Sequence, residues 1–406
     1  MPDVHAILAP SAAKRWLTCT PSARLEATLP EKTSVYAEEG TIAHAVAECL
    51  LHFYQGTGQI AVYDDPWSHY AEFAAAQPAL SYLSEDARDK GFDFREILET
   101  VHDGYVAVIW PDWVRAKAED PAAVLLVEQR VDLSDYVPES FGSSDAIIIW
   151  DRRMNVYDLK YGRGVKVSAV GNPQMRLYAL GALLGPGETY EIETVRATII
   201  QPRLHAVSSE TLHDTDLRIW ANLTVAPAAK MAFAGEGEFV PGDHCEFCRA
   251  KAQCFALLEY TRRIVRTDSE PKLMTAEDIA AVLPTLATIE GWTAAVRAHA
   301  MEILSDGGQI PGWKLVEGRS TRKILRDGEA RRILKEAGFQ PTDYDKTELR
   351  GITDLTRLVG GAKNFNAMLG HLVEKQAGKP TLAPEDDPRT TYNPAASAEA
   401  AFDSML

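Results

Sequence analysis

Asp158-Leu159-Lys160, with Gly142-Ser143-Ser144-Asp145 before it and Gln174-Met175-Arg176-Leu177-Tyr178 after it, are the stretches whose residue types and spacing suit chemistry. Asp158 and Lys160 are two apart in a strand-like run, so both side chains point to one face. Asp145 precedes another apolar run. If the two runs pair as a hairpin, its carboxylate reaches the same end of the sheet. Two converging carboxylates make a hard, oxygen-rich site suited to Mg²⁺ or Mn²⁺. A lysine beside them orients a water and stabilises charge developing on a phosphate, which suits metal-assisted phosphodiester hydrolysis. Gln174 and Tyr178 are four apart and share a helix face, where they could hold a DNA backbone or the lysine. Taken singly, each motif reads more simply as an ion pair or a solvated helix face; the ordered set is harder to dismiss.

A second constellation is sulfur. Cys245-x-x-Cys248 followed by Cys254 puts three thiols within ten positions. In a reducing compartment clustered cysteines point to metal rather than disulfides. Iron–sulfur clusters and structural zinc both take four ligands, so a fourth must come from elsewhere. The candidates are Cys19, Cys49 and His244.

The elements that must position these groups are legible as changes of period. Ser11 is placed to cap a short helix over 12–17, Cys19 falls in the turn after it, and Pro21 opens a second segment. Apolar residues recur with helical spacing from Ala37 to Tyr54, and His44 lies on that helix. Val124–Val131, Ala146–Trp150 and Asn155–Lys160 are β-branched runs that read as a meander of strands, with Asp151-Arg152-Arg153 a tight connection. Asn172–Leu184 returns to helical spacing, and Thr194–Gln201 is another strand. Strands flanked by helices predict a mixed α/β sheet. Glu128, on the strand before Asp145, is a further candidate that could equally be an exposed strand residue. Thr275 with Asp278 has capping-box spacing and starts a helix to about Leu304. The expected divisions are 1–260, a smaller α-rich 261–375, and a tail from 376 to 406 without periodicity, read as disordered.

Composition narrows the class. The chain has 406 residues, 58 acidic and 42 basic, a net charge of −16 and five cysteines. No apolar run approaches the ~20 residues that cross a bilayer, and Met1–Pro10 does not read as a secretory signal. The expectation is a cytoplasmic protein with no membrane partner. The acidic balance argues against a nonspecific nucleic-acid coat and leaves room for a local basic groove. The densest basic stretch runs from Trp313 to Lys323, with Arg326 beyond. No phosphate-cradling Gly-x-x-x-x-Gly-Lys-Ser/Thr loop occurs, so any helicase motor is a separate protein.

Gly-x-x-Asp, Asp-x-Lys and Gln-x-x-x-Tyr in this order, with His44 in Gly40-Thr41-Ile42-Ala43-His44 upstream, resemble the RecB-type branch of the PD-(D/E)XK nuclease superfamily over roughly residues 11–260. The resemblance implies a restriction-endonuclease-like fold. It implies Asp145, Asp158, His44 and the main-chain carbonyl of Leu159 as metal ligands, Lys160 as the catalytic lysine, and Gln174 and Tyr178 as the auxiliary motif. Asp rather than Glu at 158 is the form of this branch. Its iron–sulfur members, the AddB-type and CRISPR-associated RecB-like nucleases, have one cysteine before the nuclease motifs and three after. That layout implies a [4Fe–4S] cluster on Cys19, Cys245, Cys248 and Cys254, a structural zinc site being the alternative. Cys49, in an apolar stripe, is then a core residue. The wording of 313–323 and 379–385 resembles an uncharacterised phage and prophage family often placed among replication and recombination genes. Together these imply a Mg²⁺- or Mn²⁺-dependent deoxyribonuclease, an exonuclease, acting in the host cytoplasm with separate phage proteins such as a helicase or single-strand-binding protein. The alternative is a non-catalytic DNA-binding or recombination assembly factor on the same fold.

Overall fold

A strand with no polar side chain needs cover on both faces. Ala146–Trp150 has it: Ala146, Ile148 and Trp150 enter one core, Ile147 and Ile149 another. The computed structural model describes residues 6–30, 35–162, 166–265, 275–344 and 362–384, with positions 349, 351, 352, 355, 358, 359 and 391. Two units divide the chain, Met1–Ile289 and Glu290–Leu406.

The first unit is built on a five-stranded mixed sheet flanked by helices. Its strands are β1 (Val124–Asp132), β2 (Phe141–Trp150), β3 (Arg153–Leu159), β4 (Thr194–Gln201) and β5 (Ala206–His213), in sequence order across the sheet. All neighbours are antiparallel except β3 and β4. A parallel pair needs a crossover, and helix α1 (Pro173–Leu184) supplies it. Asn172 caps α1 by accepting from the N–H groups of Gln174 and Met175, and Pro173 fixes the first turn. Between β2 and β3 the turn residues Asp151 and Arg152 have φ of 39° and 61°, the left-handed pair that two-residue hairpins require. Opposite α1, the sheet is covered from the other core by the helices Val35–Thr57, Phe94–Val101 and Ala107–Glu119.

Three local expectations change. Ser11 caps nothing, because Pro10–Ala12 form a 3₁₀ turn and the helix Ala13–Thr18 starts from Ala12 without a side-chain cap. Asp145 lies inside β2 rather than ahead of it, since pairing with β1 extends the strand back to Phe141. Strand β5 was not expected. It is a half-exposed edge strand held by β4, with no apolar stripe of its own.

Thr275 and Asp278 form both limbs of their capping box, at 3.2 and 2.9 Å, and the helix runs Ala276–Ser305. In the second unit, helices Asp327–Glu336 and Ala362–Leu369 pack a small core with Leu334, Phe365 and Leu369. Strand β6 (Trp313–Ile324) pairs antiparallel with β7 (Val373–Pro384). The segment expected to be disordered from 376 is therefore strand as far as Pro384; its partner is remote, so no local periodicity announces it. The division between units falls after Ile289 rather than after 260. Among the described residues no helix is long and apolar enough to cross a membrane.

Candidate functional site

The β1–β2 register is the same on both sides of Glu128, Val127↔Ala146 and Gln129↔Ser144, which sets Glu128 opposite Asp145. The β2–β3 ladder ends at Ala146↔Tyr157, and one step further Asp145 faces Asp158. Three carboxylates thus stand in one row across three adjacent strands, an arrangement that repels unless something positive answers it.

Each member of the row is held differently. Asp145 Oδ2 accepts the main-chain N–H of Leu159 at 2.6 Å, satisfying a donor that the finished ladder leaves free. Asp145 Oδ1 lies 3.2 Å from His44 Nδ1, which the long helix Val35–Thr57 brings over the strand ends. Asp158 is buried. Its Oδ1 accepts from Lys160 Nζ and from Gln174 Nε2, both at 3.1 Å, and its Oδ2 lies 2.9 Å from Lys160 but accepts no hydrogen bond. Glu128 is half-buried, and Ser143 Oγ donates to its Oε2 at 3.0 Å. Tyr178, one helical turn after Gln174, packs over Gly142, where an added Cβ would meet its ring at 2.7 Å.

Electrostatics follow the crowding. Burial, then the neighbouring Asp145, raises the Glu128 carboxyl pKa against the Ser143 hydrogen bond and His44. Burial raises that of Asp158 too, with Lys160 opposing and Asp145 adding. Burial opposes charge on His44, but its hydrogen bond to Asp145 and the fields of Asp145, Asp158 and Glu128 prevail, and its pKa rises. Burial also pushes up Tyr178.

The donor set fits a divalent cation. Ligand atoms of His44, Glu128 and Asp145 lie within 4.8 Å of one another. The resemblance names His44, Asp145, Asp158 and the Leu159 main-chain carbonyl as ligands, with Glu128 a further candidate; the Asp158 oxygens face Lys160 and Gln174. Glu128 could have been found only from the register, which its own spacing does not reveal.

The thiols form a separate site. Cys19, at the end of helix Ala13–Thr18, lines one cavity with Cys245, inside the 3₁₀ turn Asp243–Phe247, Cys248, just after that turn, and Cys254, just after the turn Lys251–Gln253. Gly242 N–H points at Cys245 Sγ at 3.5 Å. Burial raises Cys19 and Cys245 and pushes Cys248 up to about 12, so without a cation these sulfurs stay protonated. Arg15 pairs with Glu26 at 2.6 Å, and Glu26 accepts the Arg249 N–H at 2.7 Å, so the N-terminal helices and the cysteine loop are tied by charge as well. Gly237, with φ of 105°, packs on Thr20, where no side chain would fit. His244 also lines this cavity; its Nε2 hydrogen-bonds the Val240 carbonyl at 2.8 Å and its Nδ1 lies 3.8 Å from Asp243. Cys49 is buried in the first core, its thiol pushed up to about 11 by burial.

Side chains 319–323 of the basic stretch lie outside the described residues, and Arg326 is paired with Glu329 at 3.0 Å.

An α/β protein with a carboxylate–imidazole cluster on its sheet and a four-cysteine cavity beside it is the class these features define. The chain belongs to the family described as "Protein of unknown function (DUF2800)", which it matches over residues 5–390. A solved chain titled "Crystal structure of SSO0001" is similar at 13% identity, over 44% of this chain and 81% of that one; its TM-score of 0.22 carries no argument.

Proposed function

We propose that this protein is a metal-dependent DNA nuclease, an exonuclease of the RecB-type PD-(D/E)XK kind on a restriction-endonuclease-like fold, working in phage replication or recombination. The observation that carries the reading is the position of Asp145 opposite Asp158, where the hairpin ladder ends, with Lys160 on the second carboxylate. Asp145, Asp158, His44 and the Leu159 carbonyl would hold Mg²⁺ or Mn²⁺. When bound, such an ion polarises a phosphate and lowers the pKa of water. The chain's own groups do the rest. Lys160, partly exposed, presents its ammonium to the attacking water and to a phosphate oxygen. Water oxygen bonds to phosphorus, the bond from phosphorus to the leaving nucleoside oxygen breaks, the attacking water's proton passes to solvent, and the departing oxygen takes a proton from solvent to leave as a hydroxyl. Gln174 fixes Asp158, and Tyr178 backs the helix that carries Gln174.

The same reading puts a [4Fe–4S] cluster on Cys19, Cys245, Cys248 and Cys254, as a staple rather than an electron carrier. The four thiols line one cavity, which supports a shared metal site; a structural zinc ion on the same thiols is the alternative.

The test is anaerobically purified protein on end-labelled single- and double-stranded DNA, with and without Mn²⁺, beside Asp158→Ala and Lys160→Ala. Metal-dependent cleavage lost in both variants supports the reading. Variants that cut as fast as the parent overturn it, as does tight DNA binding without cleavage.

A further inference from the structure

Helix Ser22–Ala27 begins on a serine with no task in the helix itself. Pro21 stands at its N-cap, and no side chain caps its first turn. Ser22 is 4% exposed, and among the described residues its Oγ has no oxygen or nitrogen as a hydrogen-bond partner. A buried hydroxyl left this way costs stability, so its presence asks for another group to answer it.

The surroundings narrow what that group is. Ser22 lines the thiol cavity with Cys19, Cys245, Cys248 and Cys254, and the Cys19 sulfur is what its hydroxyl faces. The Ser22 N–H donates to the Cys19 carbonyl at 3.0 Å, which closes the turn between them and fixes their spacing. Other polar side chains on the cavity wall are already engaged: Arg15 with Glu26 at 2.6 Å, Lys251 with the Glu246 carbonyl at 2.5 Å, and His244 with the Val240 carbonyl at 2.8 Å. Cys245 has a main-chain donor in the Gly242 N–H. Cys19 is buried, where a thiolate needs a donor in place of the water it has lost.

We propose that Ser22 is a positioning residue of the thiol site: when Cys19 gives up its proton and binds a metal, the Ser22 hydroxyl donates to the resulting thiolate and holds it as a ligand. The Cys19 proton leaves to solvent, the bond from sulfur to metal forms, and Ser22 keeps its own proton in the O–H···S bond. The proposal rests on the reading that the four thiols share one metal site. It holds for an iron–sulfur cluster and for zinc alike, because both take sulfur as thiolate. In the metal-free chain the hydroxyl is a burden. In the loaded chain it answers a charge, and hydrogen bonds to charged groups are the stronger kind.

The experiment uses the full chain, purified anaerobically, as parent, Ser22→Ala and Ser22→Thr. It follows the release of iron or zinc to excess EDTA, with melting curves of the metal-free forms. Ser22→Ala should release its metal roughly 10-fold faster than the parent. Metal-free, it should melt at or above the parent's temperature, because an unanswered hydroxyl has been removed. Ser22→Thr, which keeps the hydroxyl, should release within about threefold of the parent. The sulfur-to-metal charge-transfer band, of the cluster or of Co²⁺ put in place of zinc, should move to longer wavelength in Ser22→Ala and stay put in Ser22→Thr. A Ser22→Ala chain that keeps its metal as the parent does, with the band unmoved, overturns the proposal and leaves the thiol site standing. A Ser22→Ala chain that melts lower when metal-free does the same, since the hydroxyl then serves packing. So does a Ser22→Thr chain of parental stability that releases as fast as Ser22→Ala. A parent with neither iron nor zinc overturns the thiol-site reading and this proposal together.

Discussion

Leu159 donates its main-chain N–H to the carboxylate of Asp145 at 2.6 Å, across the point where the β2–β3 ladder stops. One side chain therefore both finishes the sheet and stands in the centre of the carboxylate row. Asparagine can keep the first role through its carbonyl, and alanine can keep neither. Asp145→Asn should fold normally and lose cleavage by 100-fold or more, whereas Asp145→Ala should also lose about 1–3 kcal/mol for the unsatisfied N–H. Urea unfolding beside a cleavage assay checks both; equal stability of the two variants contradicts the account.

Asp158 is a buried carboxylate with one cation and one amide beside it, which costs desolvation. Asp158→Asn should leave the metal-free protein at least as stable as the parent while removing activity, the signature of a group kept for function. Gln174→Ala should cost roughly 10–100-fold in turnover through a loosened Asp158. Thermal melts in EDTA and single-turnover rates read these out.

Gly142 has no room for a side chain: a Cβ there would stand 2.7 Å from the Tyr178 ring and 3.1 Å from Pro10. Gly142→Ala should destabilise by about 1–3 kcal/mol and displace Tyr178. The double variant Gly142→Ala with Tyr178→Leu should recover part of the loss, which a denaturation series measures.

Cys19 and Cys49 are both buried, yet only Cys19 lines the thiol cavity. Anaerobic protein should contain iron and acid-labile sulfide in equal amounts. Cys19→Ser should lose both and expose the N-terminal helices to protease, while Cys49→Ser should keep both and cost about 1–3 kcal/mol for a buried hydroxyl. Colourless protein containing zinc would exclude the cluster.

Arg176 clasps Glu210 through two hydrogen bonds, of 2.9 and 2.6 Å, tying α1 to edge strand β5. The Arg176 hydrogen bonds hold the Glu210 carboxyl below its ordinary pKa. A depressed folded-state pKa stabilises above the unfolded value of about 4.3 and is lost as pH falls through the folded one. Glu210→Gln should therefore lower the melting temperature by a few degrees at pH 7 and progressively less below pH 4. A difference constant with pH would contradict the ion pair.

The local arithmetic of the chain was legible because it depends on neighbours a few positions apart. Alternation alone puts Asp158 and Lys160 on one face, the four-residue spacing puts Gln174 and Tyr178 on one turn, and the apolar run at 146–150 declares a strand covered on both sides. Those periodicities also placed His44 on a helix and Cys49 in a core. Strand β5 was not legible because it is a half-exposed edge strand without an apolar stripe, although its partner β4 is next in the chain, and strand β7 because its partner β6 is remote in sequence.

The sequence by itself determined which residues could act and the elements that carry them: the order of motifs, the two strand carboxylates, the three late cysteines. Only the tertiary structure decided how they meet. Strand register, set by the burial of Ile147, Ile148 and Ile149 in two opposite cores, aligned Glu128, Asp145 and Asp158 in one row. Packing of the first helices against the loop near Gly237 carried Cys19 to the other three thiols. A register and a cavity are properties of long-range burial, and residue spacing along the chain holds no record of either.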